Sequence, residues 1–176
     1  MSSKPLRADA RRNRARILAA AEEVFAARGA AASTEEVAAA AGVAIGTVFR
    51  HFPTKQDLLG AILKDLLGEL TEQAGDDDLF TFFARVVTAA AEKKFVVELL
   101  AGHGIAVEVA GVVGSLSATV GELLGRAQRA GQVREDIRLD EVLALLTAAG
   151  QGALHGGWSP DLRARTLEVI FAGLRG

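Results

Sequence analysis

Hydrophobic residues recur along this chain at spacings of three and four positions, the repeat expected on one face of an α-helix. The first stripe consists of Ile17, Leu18, Ala21, Val24 and Phe25. Gly29 follows that stripe and is expected to end the helix. Alternating runs rich in Val, Ile and Thr between hairpin turns, the pattern of half-buried strands, do not occur. The pattern predicts an all-α protein.

Two short helices are predicted after the first one. Ser33 stands three residues before Glu36, which is the spacing of a capping box and opens a helix. Gly42 suits the left-handed backbone of a tight turn, so this helix is expected to end there. The next helix is predicted from about Ala44 to His51, ahead of Pro53.

The rest of the chain predicts six more helices, which makes about nine in all. Thr54 is expected to cap a helix that reaches about Thr71 and carries a clear stripe of Leu and Ile. The run Asp76-Asp77-Asp78 is interpreted as a cap for the following helix, because a calcium loop would need alternating acids and a distal glutamate. The remaining helices are predicted over Leu79 to about Ala91, Phe95 to Ala101, about Val107 to Arg129, from Asp140 and from Ser159-Pro160.

Composition places the chain among folded globular proteins and limits its chemistry. Half of its residues are hydrophobic and 24% are charged, which argues against disorder. There is no cysteine, so disulfides, zinc fingers and thiol catalysis are excluded. The longest uncharged apolar stretch, Val109 to Gly121, is too short and too rich in Gly and Ser to span a bilayer. The first residues carry charges where a signal peptide needs an apolar core, so we expect a soluble cytoplasmic protein with no membrane contact.

The net charge of −2 conceals an uneven distribution along the chain. Residues 1–55 hold nine Lys and Arg against five Asp and Glu, whereas residues 56–176 hold eleven against seventeen. A basic head on an acidic body suits a protein that presents one end to a polyanion. An uneven solvated surface with no such partner explains the charges equally well, so charge alone leaves both alternatives open.

Residues 33 to 55 have the pattern of a helix-turn-helix. Such a motif needs a small residue where its helices cross, a residue tolerant of left-handed backbone in the turn, and an apolar anchor in the second helix. Ala38, Gly42 and Val48 supply these at spacings of four and six. A helical hairpin without a DNA role could carry the same small residues. In the helix-turn-helix interpretation the inward side chains are Ile45, Val48 and Phe52, and the groove-facing residues are Ala44, Gly46, Thr47, Arg50 and His51.

The stretch STEEVAAAAGVAIGTVFRHFPTKQDLL, preceded by RARILAAAEEVFAARG, resembles the DNA-binding domain of the tetracycline-repressor (TetR) family over about residues 11 to 63. The rest of the chain is similar in helix count and in its ending, although the sensing halves of this family diverge widely. The resemblance implies an N-terminal arm and three-helix DNA-binding domain over residues 1–53. A helical ligand-sensing and dimerisation domain would follow over residues 54–176.

The resemblance also implies roles for single residues on double-stranded DNA with an inverted repeat. Ser33 would cap its helix and offer its hydroxyl and backbone N–H to a phosphate, and Lys55 would reach another phosphate. Gly46 would permit close approach of the backbone, and Arg50 would bind a phosphate or a guanine edge. The full set implied for DNA is Arg11, Arg12, Arg14, Ser33, Thr34, Ala44, Ile45, Gly46, Thr47, Phe49, Arg50, His51 and Lys55. Of these, Thr47 and His51 would bind phosphates, and the three arginines would steer an arm along the backbone or into the minor groove.

Two positions depart from the family pattern. The family usually has Tyr where this chain has Phe49, so the hydroxyl that meets a phosphate is missing. It often has Ser or Thr where Ala44 stands, so the recognition helix loses a cap, at a typical cost of about 1 kcal/mol. Both departures predict fewer phosphate contacts than in a consensus member.

The sequence does not predict an enzyme, a cofactor or a metal site. The glycine-rich GQGALHGG has His155 at the third glycine position of a dinucleotide motif, and no strand precedes it. The three histidines are 52 residues apart in each interval, so none forms a zinc-binding pair on one helix. No catalytic residue is therefore predicted.

The body of the chain is interpreted as a sensor and a dimerisation unit. The residues predicted to line a cavity for a small, largely apolar effector are Phe83, Phe95, His103, Gln151, His155 and Trp158, although aromatics at helical spacing are more often core. The resemblance implies a homodimer in which the last two long helices form a four-helix bundle with their mates. The predicted function is a repressor released from DNA by the effector. The alternative is a helical protein-interaction module or a ligand-independent regulator that retains the fold.

Overall fold

The computed structural model of the chain describes residues 4–75, 77–102 and 109–175, and within these ranges it contains helices and no strand. The predicted site residue His103 and the predicted capping residue Asp76 lie outside the described residues. The helices are α1 Lys4–Arg28, a short 3₁₀-helix Gly29–Ala31, α2 Thr34–Ala41, α3 Ile45–His51, α4 Lys55–Gln73, α5 Leu79–Glu92, α6 Lys94–Gly102, α7 Val109–Ser115, α8 Ser117–Arg129, α9 Leu139–His155 and α10 Pro160–Leu174. The all-α prediction is confirmed.

Thr54, Asp78 and Ser159, each predicted to begin a helix, do so through side-chain hydrogen bonds. The Thr54 hydroxyl accepts from the Asp57 N–H at 3.1 Å, and the Asp57 carboxylate accepts from the Thr54 N–H at 3.0 Å, so the two residues form a capping box for α4. Asp78 caps α5, and Ser159 caps α10 with Pro160 in the first turn. These caps use partners only three residues away, which is why the sequence predicts them well.

Two boundaries differ from the sequence prediction. Helix α1 begins at Lys4, so Arg11, Arg12 and Arg14 lie on a helix and the predicted N-terminal arm is wrong for these residues. The single helix predicted to end at Arg129 is two helices in the described residues, separated at Leu116. Gly114 and Ser115, which directly precede the break, are weak helix formers, and the Leu116 side chain is buried.

The chain divides into two compact units. The first unit holds α1 to α3, α4 up to Asp65, and α6 from Phe95; the second holds α4 from Leu66, α5 and α7 to α10. Helix α4 therefore contributes to both. The large buried side chains of the first unit include Ile17, Phe25, Val48, Leu58, Leu59 and Ile62.

Phe171 of α10 lies at the centre of the second unit's aromatic packing. Its ring contacts Phe83 edge-on at a centroid distance of 5.5 Å and Phe80 at 4.9 Å. Arg126 of α8 donates to the carbonyl oxygens of Gly75 at 3.1 Å and Asp77 at 2.6 Å, and so ties α8 to the connection between α4 and α5. None of the described helices is both long enough and apolar enough to cross a membrane.

Candidate nucleic-acid interface

Helices α2 and α3 meet through a tight turn centred on Gly42. The glycine adopts φ 62° and ψ 39°, the left-handed conformation predicted for it, and its N–H donates to the carbonyl oxygens of Ala38 and Ala39. The Val43 N–H also donates to the Ala38 carbonyl, at 3.0 Å. Ala38 is buried at the crossing and Val48 is completely buried in α3. The small residue, the turn and the apolar anchor thus stand as a helix-turn-helix requires.

Helix α3 presents a mixed outer face. Gly46 and Arg50 are exposed, Thr47 and His51 are half-buried, and Phe49 is 44% exposed. Ile45 is half-buried on the inward side, next to the buried Val48 and Phe52. The outer face therefore offers a hydroxyl, an imidazole, a guanidinium and a bare backbone position to a binding partner.

Helix α3 begins without a side-chain cap. Ala44 occupies the cap position with an extended backbone, and only its carbonyl oxygen serves the first turn, accepting from Thr47 at 2.8 Å. The missing cap predicted from the alanine is confirmed. The first N–H groups of α3 consequently have no side-chain acceptor from this position.

Ser33 and Glu36 form a complete capping box at the start of α2. The Ser33 hydroxyl accepts from the Glu36 N–H at 3.2 Å, and the Glu36 carboxylate accepts from the Ser33 N–H at 2.9 Å. This hydrogen bond from the Ser33 backbone, aided by the nearby Arg28, lowers the pKa of Glu36. The prediction that the Ser33 N–H meets a phosphate is therefore wrong, since Glu36 already occupies it. Thr34, the first residue of α2, is half-buried.

Lys55, the first residue of α4, points to the connection between α1 and α2. Its ammonium donates to the carbonyl oxygens of Ala32 at 2.9 Å and Ala30 at 3.3 Å, and it lies 5.3 Å from the centroid of the Phe25 ring. An ammonium has three donors, so one remains for a phosphate oxygen. The lysine stabilises the packing of α4 on α1 in any case.

The three arginines assigned to DNA differ in their surroundings. Arg11 and Arg12 are exposed on α1, and Arg12 forms an ion pair with Asp9. Arg14 instead forms two parallel hydrogen bonds with the Asp65 carboxylate of α4, both 3.2 Å long. Arg14 therefore differs from Arg11 and Arg12 in being paired with a carboxylate on another helix.

The sequence reasoning missed Arg16. Its guanidinium donates to the carbonyl oxygen of Ala41 at 2.6 Å, at the end of α2. The partner is a backbone carbonyl 25 residues away, so no spacing along the chain announces this contact. Only the packing of α1 against α2 reveals it.

Comparisons with known proteins agree with this geometry. Residues 17–62 match the family described as bacterial regulatory proteins, tetR family, and residues 74–176 match the C-terminal domain described as SbtR-like transcriptional regulator. The chain belongs to the TetR family. An HTH-type transcriptional repressor of Mycobacterium tuberculosis is 33% identical to it over 159 residues, which are 86% of this chain and 76% of that protein.

Solved TetR structures show the same fold. A TetR transcription regulatory protein of Mycobacterium vanbaalenii is 40% identical, with a TM-score of 0.77 over 98% of this chain and 100% of that one. A TetR regulator of Streptomyces coelicolor is 27% identical, with a TM-score of 0.70 over 92% of this chain and 98% of that one. The protein is thus a transcriptional regulator rather than an enzyme, as the sequence predicted.

The residues predicted for an effector site have varied surroundings. Phe95 groups with the first unit, whereas Phe83, Gln151, His155 and Trp158 belong to the second. Phe83 is buried against Phe171, and Gln151 and His155 are exposed on α9. Trp158 is half-buried, with its indole lying over Gly152 and Gly156 at the end of α9.

The second unit also has an open groove of about 540 Å³ between α9 and α10. Its lining includes Ile137, Leu145, Val169 and Ile170. None of the four predicted effector residues that lie in the described part of this unit lines the groove.

Proposed function

We propose that this protein is a homodimeric repressor that binds an inverted-repeat DNA site through α3 and leaves it when a small apolar molecule binds. The observation that carries the proposal is the outer face of α3. Thr47 and Arg50 stand on that face above the buried anchor Val48, and Gly46 adds no side chain to obstruct the approach of a DNA backbone. A helix presented in this way fits the major groove.

In this proposal the contacts fall into two groups. Thr47, His51 and Arg11 bind phosphates and set the register, and Arg50 is the candidate for reading a base edge, since a guanidinium pairs with guanine in two bonds. We assign DNA binding to residues 1–53 and effector sensing and dimerisation to residues 54–176. A protein with bacterial DNA as its partner acts in the cytoplasm.

Dimerisation is supported by the exposed apolar side chains of α10. Val169 is 75% exposed and Leu162 is 48% exposed, and their spacing of seven puts them on one face of the helix. Large exposed aliphatic side chains on one face are typical of a surface that another chain covers. Light scattering should give a mass about twice the 18.4 kDa of one chain, and a mass of one chain at micromolar concentration would contradict the dimer.

The effector is proposed to be apolar because the inner face of α4 is aliphatic. In the part of α4 that belongs to the second unit, Leu70 is buried and Leu66 and Leu67 are half-buried. A ligand releases DNA only if it binds the DNA-incompetent conformation more tightly than the competent one. A shift of α4 on binding of the ligand would supply that difference.

The experiment begins with selection of duplexes from a random library by the full-length protein. Binding of the enriched duplex is then followed by fluorescence anisotropy for the parent, Thr47→Ala, Arg50→Ala and Arg129→Ala. The first two should weaken binding, and Arg50→Ala should also relax the sequence preference. Arg129, exposed on α8, is the matched control for loss of an arginine and should leave binding unchanged. Equal binding by all four proteins would show that α3 is not part of the DNA interface.

The effector is sought with a panel of apolar metabolites added to the same protein–duplex complex. Release of the parent from the duplex identifies an effector, and Phe83→Ala should raise the concentration needed for release. A panel that never releases the parent would favour a ligand-independent regulator.

A further inference from the structure

Arg14 is bound to a carboxylate on a different helix of the first unit. Its two terminal nitrogens donate to the two oxygens of Asp65, each at 3.2 Å, in the side-by-side geometry of a two-bond arginine–carboxylate pair. Both side chains are 40% exposed, so the pair lies at the edge of the protein rather than in its core. The pair joins α1 to α4.

The same guanidinium also lies over the ring of Phe52. The Arg14 Cζ atom is 5.7 Å from the ring centroid, within the range of a cation–π contact. Phe52 is buried and directly follows the last residue of α3, where its N–H donates to the Val48 carbonyl at 2.8 Å. Arg14 therefore contacts the residue that ends the recognition helix.

The charge of Arg14 is offset by its partner. A phosphate would have to compete with Asp65 for the same donors, and the adjacent carboxylate would repel it. Arg11 and Arg12 on the same helix are exposed. Among the side chains that the structure describes, neither forms an ion pair with a residue of another helix. Arg14 is thus the arginine of this group least suited to bind DNA directly.

We propose that Arg14 is a positioning residue: by holding Phe52 and Asp65 together, it fixes the end of α3 relative to α4 and so orients the recognition helix. This inference rests on the proposed function, since it concerns how α3 is placed for DNA. It replaces the role that the resemblance implied for Arg14, which was to steer an arm along the DNA backbone or into the minor groove.

The two roles predict opposite effects of removing the carboxylate. If Arg14 bound a phosphate, Asp65→Asn would free it and remove a negative charge, so DNA affinity would stay equal or rise. If Arg14 positions α3, Asp65→Asn loosens that helix and lowers the affinity about three- to tenfold, which is in the lower part of the range of coupling between contacting residues. The sign of the change decides between the roles.

The affinity is measured by anisotropy on the enriched duplex over a series of salt concentrations. Asp65→Asn and Arg14→Met should each lower the affinity. The double variant should bind no more weakly than the single variant that has the lower affinity. The slope of log affinity against log salt should not change, whereas loss of a phosphate contact flattens it by about one unit. Glu23→Gln, an exposed carboxylate on α1, is the matched control for charge and should leave affinity and slope unchanged. Arg11→Met, at a proposed phosphate contact, is the positive control and should flatten the slope by about one unit.

Two further measurements keep the test independent of folding and of DNA. The exchanged pair Arg14→Asp with Asp65→Arg should recover part of the affinity lost in Arg14→Asp alone, because it restores the ion pair between α1 and α4, which a phosphate ligand on α1 would not do. In the free protein, the His51 ring lies 6.2 Å from the Phe52 ring, so its imidazole NMR signal reports on the position of Phe52. The chain has three histidines, so a His51→Gln spectrum assigns that signal.

Asp65→Asn should shift the His51 signal and Glu23→Gln should not. An unchanged His51 signal would overturn the positioning role even if no duplex were ever enriched. Failure of enrichment with a shifted signal would instead count against the proposed DNA-binding function alone. A rise in affinity with Asp65→Asn, or a flattened salt slope with Arg14→Met, would show that Arg14 binds a DNA phosphate directly.

Discussion

Arg16 donates a hydrogen bond of 2.6 Å to the carbonyl oxygen of Ala41, the last residue of α2. A second, longer bond of 3.4 Å reaches the carbonyl of Gly42. A basic side chain at a helix C-terminus satisfies free carbonyls and interacts favourably with the helix dipole. Helix α1 thereby holds the turn that sets the angle between α2 and α3.

Gly42→Ala should destabilise this turn. The glycine has a φ of 62°, which costs an L-residue about 1–2 kcal/mol. A Cβ there would also lie 2.8 Å from Arg16 Nη2, so the flexible guanidinium would have to shift. Urea unfolding should show a free energy of unfolding lower by at least about 1 kcal/mol.

Gly46→Ala is the matched control for that change. Gly46 lies within α3, and a Cβ there meets no atom within 4 Å, so stability should stay equal or rise by up to about 1 kcal/mol. The added methyl faces the proposed DNA surface, so affinity should fall although the fold is intact. Equal losses of stability in both variants would contradict the assigned turn.

Ala44→Ser should stabilise the recognition helix. The alanine occupies the cap position of α3 with extended backbone and no side-chain hydrogen bond, so a serine hydroxyl could accept from the first turn. Such a cap contributes about 1 kcal/mol. Ala40→Ser, at an exposed position of α2, should instead lower the free energy of unfolding by about 0.5 kcal/mol, since serine is a poorer helix former than alanine. If urea midpoints move the same way in both variants, the cap assignment is wrong.

Glu36→Ala should destabilise the protein in a pH-dependent way. The pKa of Glu36 is lowered from its ordinary value of 4.5, chiefly by the hydrogen bond from the Ser33 N–H, so the ionised carboxylate is the stabilising form. Its contribution is fully present above the unfolded-state pKa and is lost as pH falls through the folded-state value.

The gap in unfolding free energy between parent and Glu36→Ala should therefore be constant near neutral pH and shrink below pH 4.5. Glu35→Ala, an exposed neighbour in the same first turn, controls for loss of a carboxylate near the helix dipole. A gap that persists unchanged in acid would show that the capping carboxylate is not its source.

Gly152→Ala should displace Trp158. A Cβ at Gly152 would overlap the indole, and overpacking of this kind costs about 1–3 kcal/mol. The chain has one tryptophan, so its fluorescence should move to longer wavelength as the indole gains water. Gly68→Ala in α4, where a Cβ meets no atom within 4 Å, should leave the emission unchanged. An unshifted spectrum for Gly152→Ala would contradict the packing of Trp158 on α9.

The parts of the structure that the sequence predicted depend on neighbours along the chain. The Ser33 and Thr54 capping boxes, the Gly42 turn and the uncapped Ala44 each involve residues within four positions. These signals predict the helices and the helix-turn-helix, and the TetR fold was implied by the resemblance over about residues 11 to 63.

The side-chain partners of Arg14, Arg16 and Lys55 were not predictable in this way. They lie 51, 25 and 23 residues away, and two of the three are bound to backbone carbonyls, which carry no sequence signal. The same basic residues would look identical in sequence if they were free to meet phosphates. The local sequence pattern therefore predicts the helices and turn of the site. It does not predict which basic side chains of the site already have partners within the fold.

In the proposed complex, two copies of α3 enter major grooves on one face of a DNA duplex. A hydroxyl-radical footprint of the full-length protein on the enriched duplex tests it most directly. Two protected patches related by twofold symmetry are expected, with centres about one helical turn apart, roughly 34–36 Å, or a multiple of it. A single patch, or none at a protein concentration that saturates the duplex, would contradict it.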